Sequence, residues 1–502
     1  MRLSRLGFIS FLISACVSAP QVQLGQTILI GRSIAYPNLA EQEFFGGIPF
    51  AEAPVRSLRF SPPVLKSSLN VSSFDASNFG APCPQLGSPA NISEDCLTIN
   101  VLRPAGLSVG SALPVMAFVY GGGFSGGTRP HTMQLSWLGK VLHEEGAEAA
   151  SRGALNLGLK DQLTAMQWIH DKIATFGGDP AKVTIFGESA GAISIALLFL
   201  NSGLEHLARA AILESGSQAT TPAFPAERRE LTLGLLNAYV AATKESHEVF
   251  PFVPTIDGPG GVVPDLPSNL LAAGKFSRLP FIAGTNQDEG TAFISTSVSN
   301  VQDIRDFVVG ESFPSSNGQA SAQFNTVVDL LLEFYPDDAA LGSPFGTGNN
   351  TFGLSSQYKR LAAIASDNLF HCPQKSLDTG CEQIWSKTFV YLFEDPQAVP
   401  ADQPFLGVTH GSELPYVYGA TAMSGLAPAN ALSVAMMDYW ISFAVDLDPN
   451  DGRGSLRPTW KQYTPVNEVL LQLNGENTTH IQDTFRSAQF SFINGVPSVL
   501  GH

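Results

Sequence analysis

Apolar positions in this chain gather into short runs bounded by glycine, proline and small polar residues. Lys182-Val183-Thr184-Ile185-Phe186 is rich in β-branched and aromatic residues and predicts a strand. Ala192-Ile193-Ser194-Ile195-Ala196-Leu197-Leu198 follows closely and predicts a helix. Together, Val183 to Leu200 is almost wholly apolar, long enough to be mistaken for a membrane span. Glu188, flanked by Gly187 and Gly191, would be costly in mid-bilayer. A buried strand, a sharp turn and a buried helix fit better. Two further strands are expected: Leu113 to Tyr120, leading into Gly121-Gly122-Gly123-Phe124, and Pro280 to Gly284, leading into Thr285-Asn286-Gln287-Asp288-Glu289-Gly290.

The apolar run Leu6 to Cys16 is of another kind. Arg2 and Arg5 precede it, Val17-Ser18-Ala19 follow it, and it is too short to span a bilayer. A cleaved secretory leader over residues 1–19 is expected, with 20–502 as a single domain. Removing it takes Cys16 and leaves Cys83, Cys96, Cys372 and Cys381. Proximity makes Cys83–Cys96 and Cys372–Cys381 the simplest disulfide pairing in an oxidising compartment. Sequons at Asn70, Asn91, Asn349 and Asn477 fit the same compartment as glycosylation sites.

Composition narrows the function. Over 502 residues, charged side chains make up 14% and apolar ones 44%, so much of the chain must be interior. The 28 basic and 44 acidic residues give a net charge of −16, the wrong sign for a nucleic-acid binder. No stable membrane anchor, metal-ligand spacing or phosphate loop is readable, so no cofactor is expected.

The turn between the apolar strand and helix carries the chemistry. Gly187-Glu188-Ser189-Ala190-Gly191 has the Gly-x-Ser-x-Gly form, which also occurs around Ser108 and Ser125. Only Ser189 stands between a strand and a helix, where a tight turn lifts the hydroxyl above a sheet. Ser189 is therefore the expected nucleophile. The Gly121-Gly122-Gly123 run can aim backbone N–H groups at a developing negative charge, with Ala190 as a second donor.

A nucleophilic serine needs a base and an orienting acid, in the chain order serine, acid, histidine. Order and position leave His206, His247, His371 and His410; His371 adjoins Cys372 and is expected to be held by a disulfide region. His410 opens an expected helix in Gly407-Val408-Thr409-His410-Gly411-Ser412-Glu413. Asp288 and Glu289 both suit the acid, with Asp257 as a further candidate.

These motifs resemble the type-B carboxylesterase family of cholinesterases and fungal lipases. Further matching stretches are Phe45 to Ala51 with Arg59-Phe60, Ser93 to Val101, Asn156 to Gln162, Phe176 to Pro180, Asp288-Glu289-Gly290, His410-Gly411, Trp440 to Phe443, Asp448 to Asn450 and Trp460. The resemblance implies an α/β-hydrolase fold, a central mostly parallel sheet flanked by helices. It implies Ser189, Glu289 and His410 as the triad, and Gly122, Gly123 and Ala190 as the oxyanion hole. It also implies the Cys83–Cys96 disulfide and a buried structural ion pair between Arg59 and Glu94. The activity implied is hydrolysis of a small carboxylic ester through an acyl-enzyme, by a secreted enzyme.

Two segments depart from the family pattern. Phe124 to Asn156 is only 32 positions, and no strand is readable in Gly126 to Gly153 where the family has one. Ser217 to Pro254 is also short, and the cysteine pair of that region is missing. One central strand is thus expected to be lacking, through skipped coding segments or a truly shortened chain. The twelve residues between Cys83 and Cys96 are short for a lipase lid, which points to soluble esters. The alternatives are a lipase for long-chain acylglycerols and a non-catalytic cholinesterase-like binding protein. Retention of Ser189, Glu289 and His410 argues against the latter.

Overall fold

The computed structural model describes residues 18–35, 40–85, 91–127, 152–200, 203–223, 249–250, 253–312, 322–382, 387–423 and 426–500. The expected leader lies almost wholly outside the described residues, as does most of each short segment.

The architecture centres on a sheet of seven strands, ordered β13-β12-β11-β10-β9-β8-β7. Its members are β7 (Leu113–Val119), β8 (Gly178–Glu188), β9 (Ala210–Glu214), β10 (Phe281–Asn286), β11 (Thr388–Phe393), β12 (Val469–Leu473) and β13 (Thr479–Gln482). All neighbours are parallel except β12 and β13. The parallel strands are apolar on both faces because helices cover both. Side chains alternate: Ala117, Val119, Val183 and Ile185 enter one core, Phe118 and Phe186 the other. The first core includes the helices Leu157–Lys172 and Ala190–Phe199, the second the helix Ala427–Asp446. Each fully buried Ile or Phe contributes roughly 1.5–3 kcal/mol of transfer free energy.

A separate antiparallel sheet holds β3 (Arg32–Ile34), β4 (Gln42–Pro49) and β6 (Thr98–Pro104) in the order β3-β4-β6. A third joins β1 (Gln21–Leu24), β2 (Thr27–Ile30) and β5 (Ser73–Asp75). Among the described residues no strand joins β6 to β7, and the stretch 126–153, in which a central strand is expected to be lacking, lies almost wholly outside the described residues. The two sheets are instead tied by Arg103 on β6. Its guanidinium bonds the Phe176 carbonyl just before β8 and pairs with Glu43 of β4 at 2.7 Å, both side chains being largely buried.

The expected buried pair, Arg59–Glu94, is formed at 2.5 Å but stands in solvent, with side chains 45% and 35% exposed. Water screens it, so it adds little stability. Buried arginine–carboxylate pairs among the described residues include Arg103–Glu43, Arg457–Asp451 and Arg486–Asp367.

The disulfide Cys83–Cys96 is formed, but Cys372 is a free, buried thiol. Cys372 and Cys381 lie on one helix, Cys372–Glu382. Nine residues of helix place them roughly 13.5 Å apart, about twice the reach of a disulfide. Asn70, Asn91, Asn349 and Asn477 are all exposed. Among the described residues no helix is long and apolar enough to cross a membrane.

Candidate active site

β8 ends at Glu188 and the next helix begins at Ala190, so Ser189 alone makes the turn, with φ 56° and ψ −130°. Such a conformation is strained for a residue with a Cβ. Its N–H donates to the Glu214 carbonyl of β9 at 2.9 Å. The flanking glycines are required by contact. A Cβ on Gly187 would stand 2.5 Å from the Val119 carbonyl oxygen, and one on Gly191 only 2.0 Å from the same atom. That closeness lays the helix start against the end of β7.

The glycine run leaves β7 and passes beside the serine. A Cβ on Gly121 would lie 2.7 Å from the Ser189 Cβ. Gly122 and Gly123 have φ of 114° and 60°, and a tight turn follows, closed by Ser125 and Gly126 N–H onto the Gly122 carbonyl. Gln85, two residues beyond Cys83, accepts from Gly127 N–H at 2.7 Å. The disulfide loop therefore anchors the end of the glycine loop.

The acid loop follows β10. Glu289 is fully buried; its Oε1 accepts from Asn286 N–H at 2.7 Å and its Oε2 lies 2.5 Å from His410 Nδ1. Asp288 faces elsewhere. It accepts from Ser343 Oγ, Phe345 N–H and Val408 N–H, and burial raises its carboxyl to about 6 against those bonds. Gly407 has no side chain because the Asp288 carboxylate occupies that space. Asp257 closes a turn by accepting from Val262 and Val263 N–H.

His410 sits against the rings of Phe293 and Phe370, with centroids at 4.9 and 4.8 Å. Its Nε2 lies 3.2 Å from Glu188 Oε1 and has no hydrogen bond to Ser189. The structure thus joins the expected acid and histidine directly and leaves the serine–histidine contact unmade. Burial pushes the His410 imidazole down, but the charges of Glu289 and Glu188 outweigh it and lift it to about 9.

Two further carboxylates, Glu188 and Glu413, act on this histidine and a third, Glu214, acts on those two; motif reading did not single them out. Glu188 is the variable residue of Gly-x-Ser-x-Gly. Glu413 stands three residues after His410, is fully buried, and accepts from Asn286 Nδ2 at 2.5 Å. Glu214, fully buried on β9, accepts from Trp440 Nε1 at 2.6 Å. Burial and the neighbouring acids raise Glu413 to about 8 and push Glu214 well above the carboxylate range. The one sequence signal was charge itself: each is an acid inside an otherwise apolar or motif stretch. His371, expected near a disulfide, is instead bonded to Asp367 and to the Asn286 carbonyl. Among the described residues no group of three or more His, Cys, Asp or Glu is placed to hold a metal ion.

The model of the Carboxylesterase family matches residues 18–142, 147–234 and 226–493. Its breaks fall in the two segments that are short. Secreted lipase 1 of Botryotinia fuckeliana is 32% identical over 90% of this chain and 89% of its own length. Lipase 2 of Diutina rugosa is 32% identical over 95% of this chain and 96% of its own. The first alignment runs to 548 positions, more than the 502 of the chain, so it carries internal gaps. The crystal structure of Aspergillus niger EstA superposes with a TM-score of 0.79 over 97% of this chain and 99% of its own, at 24% identity. That likeness concerns the fold, an α/β-hydrolase. With the family model matched along nearly the whole sequence, the chain belongs to the carboxylesterase family.

Proposed function

We propose that this protein is a secreted serine hydrolase of carboxylic esters, with Ser189 as nucleophile, His410 as base and Glu289 as its orienting acid. The observation that carries the reading is the 2.5 Å contact of Glu289 with His410 Nδ1, beside a serine held at a strained strand-to-helix turn. Unliganded sites commonly hold such contacts loosely and tighten them on substrate binding. Here His410 Nε2 must leave Glu188 and meet Ser189 Oγ.

His410 then takes the Ser189 proton as Oγ attacks the ester carbonyl. Gly122, Gly123 and Ala190 N–H groups receive the oxyanion, and the Ala190 N–H is free of intrahelical bonding as the first of its helix. Protonated His410 passes its proton to the leaving alcohol. Water, deprotonated by the same ring, releases the acid from the acyl-serine. Glu289 stabilises the imidazolium at both stages.

The short disulfide loop supports soluble esters as substrates. The names of the fungal relatives favour a second reading, a lipase for long-chain acylglycerols. Fluorophosphonate labelling with Ser189→Ala as control tests the serine, and a soluble p-nitrophenyl ester against emulsified triolein tests the substrate. Labelling that persists in Ser189→Ala removes Ser189 from the mechanism. Preference for triolein replaces the esterase reading by the lipase one.

A further inference from the structure

Behind the acid loop lies a second buried histidine that the proposed mechanism does not use. His371 closes a π-helical turn, Asp367–His371, between the helices Ser356–Ser366 and Cys372–Glu382. Wide turns of this kind recur at functional sites. His371 Nδ1 lies 3.0 Å from Asp367 Oδ1, and its Nε2 lies 2.9 Å from the Asn286 carbonyl oxygen. A carboxylate and a carbonyl only accept, so both ring nitrogens must donate and the ring is an imidazolium.

The charge is held in place from several sides. Asp367 also accepts from Tyr335 Oη at 2.6 Å and from Arg486 Nε at 2.5 Å. Arg486 in turn lies over the rings of Tyr335 and Phe345. The cluster of His371, Asp367 and Arg486 carries one net positive charge. Burial pushes the His371 ring down, but Asp367, then the Asn286 carbonyl and the charge of Glu289, outweigh it and lift the ring above its ordinary value.

Asn286, the acceptor, is the last residue of β10 and the anchor of the whole acid side. Its N–H donates to Glu289, and its Nδ2 to both Glu413 and the Thr409 carbonyl beside His410.

We propose that His371 is a positioning residue: as a buried imidazolium it fixes the Asn286 peptide, which holds Glu289 in line with His410. This rests on the reading of Glu289 and His410 as catalytic partners. The role differs from packing, because it acts on the geometry of one hydrogen bond.

The test uses the full secreted chain with His371→Leu and His371→Gln. Misplacing a catalytic group by an ångström can cost about 100-fold in rate. His371→Leu should therefore lose roughly 10–100-fold in kcat at unchanged KM. His371→Gln, which keeps one donor for the Asn286 carbonyl, should recover part of the loss. In a Glu289→Gln background the His371 substitutions should cause no further loss, since the group they position is gone. The low-field proton NMR signal of the His410 Nδ1–H···Glu289 bond should move upfield in both variants, whether or not turnover is measurable.

The proposal is overturned if kcat is unchanged while only Tm falls. Losses that multiply with Glu289→Gln, or ring nitrogen signals of a neutral His371 at pH 7, also overturn it. Should His371→Leu not fold, His371→Gln carries the test. Hydrolysis that survives Ser189→Ala would sink the catalytic reading instead, and the His410 proton signal would still decide the role of His371.

Discussion

His410 turns its Nε2 to Glu188, 3.2 Å away, rather than to the serine next to that glutamate. Glu188 is the immediate neighbour of Ser189, which makes the strained turn with φ 56° and ψ −130°. His410 is thus held between two carboxylates, Glu188 at Nε2 and Glu289 at Nδ1.

The pH dependence of turnover follows from that pair. His410 sits at about 9, so its neutral, proton-accepting form is scarce at pH 7. Activity should rise about tenfold per pH unit up to roughly pH 9. Glu188→Gln removes one of the raising charges, and the acid limb of kcat/KM should move down by about one unit. An acid limb that stays in place would show that Glu188 does not govern the ring.

Stability should move the opposite way. Glu413 binds its proton up to about pH 8 in the folded protein, against an ordinary value of 4.5. The folded state therefore holds more protons, and stability falls as pH rises from about 4.5 through 8. His410, raised from 6.5, adds a loss between there and about 9. Calorimetric Tm should drop between pH 5 and pH 9, and Glu413→Gln should flatten that slope while keeping the Asn286 contact. A slope equal to that of the native chain refutes the assignment.

Gly191→Ala should be severely destabilising. The new methyl would stand 2.0 Å from the Val119 carbonyl oxygen, a backbone atom of the β7–β8 strand pair. Overpacking of this kind costs about 1–3 kcal/mol or more. Denaturant unfolding of the purified variant measures it, and a midpoint within error of wild type would contradict the contact.

The disulfide and Gln85 should separate into stability and rate. Cys83 and Cys96 are 13 residues apart, and losing such a closed loop costs about 3 kcal/mol. Gln85→Ala keeps the bond but frees Gly127, so kcat should fall with little change in Tm. Equal loss of kcat and Tm in Gln85→Ala would mean that the clamp only supports folding. Cys372 should resist alkylation until the chain unfolds, since burial pushes its thiol well above the ordinary range.

Local chemistry made part of this protein readable. The serine turn is legible because strand composition, helix composition and two obligatory glycines meet within a few residues. The three-glycine run is legible for the same reason. Pattern alone left Asp288 and Glu289 open, adjacent residues of one type of charge. Their side chains diverge in space, one to Ser343 and Val408, the other to His410. The Cys372–Cys381 pairing failed because nearness in sequence is distance along a helix. The Arg59–Glu94 pair was found in the right place with the wrong burial, since exposure depends on what lies above a residue.

By itself the sequence determined the fold class, the strand-to-helix serine turn, the glycine loop and the family. Each of these is written in residues that are neighbours along the chain, where period, size and backbone freedom act directly. Tertiary structure alone decided the carboxylate cluster of Glu188, Glu214 and Glu413, the alkaline shift of His410 and the bond from His371 to Asn286. These depend on charges brought together from distant strands and helices in a medium without water. There the energy of a charge is set by its neighbours in space rather than in sequence.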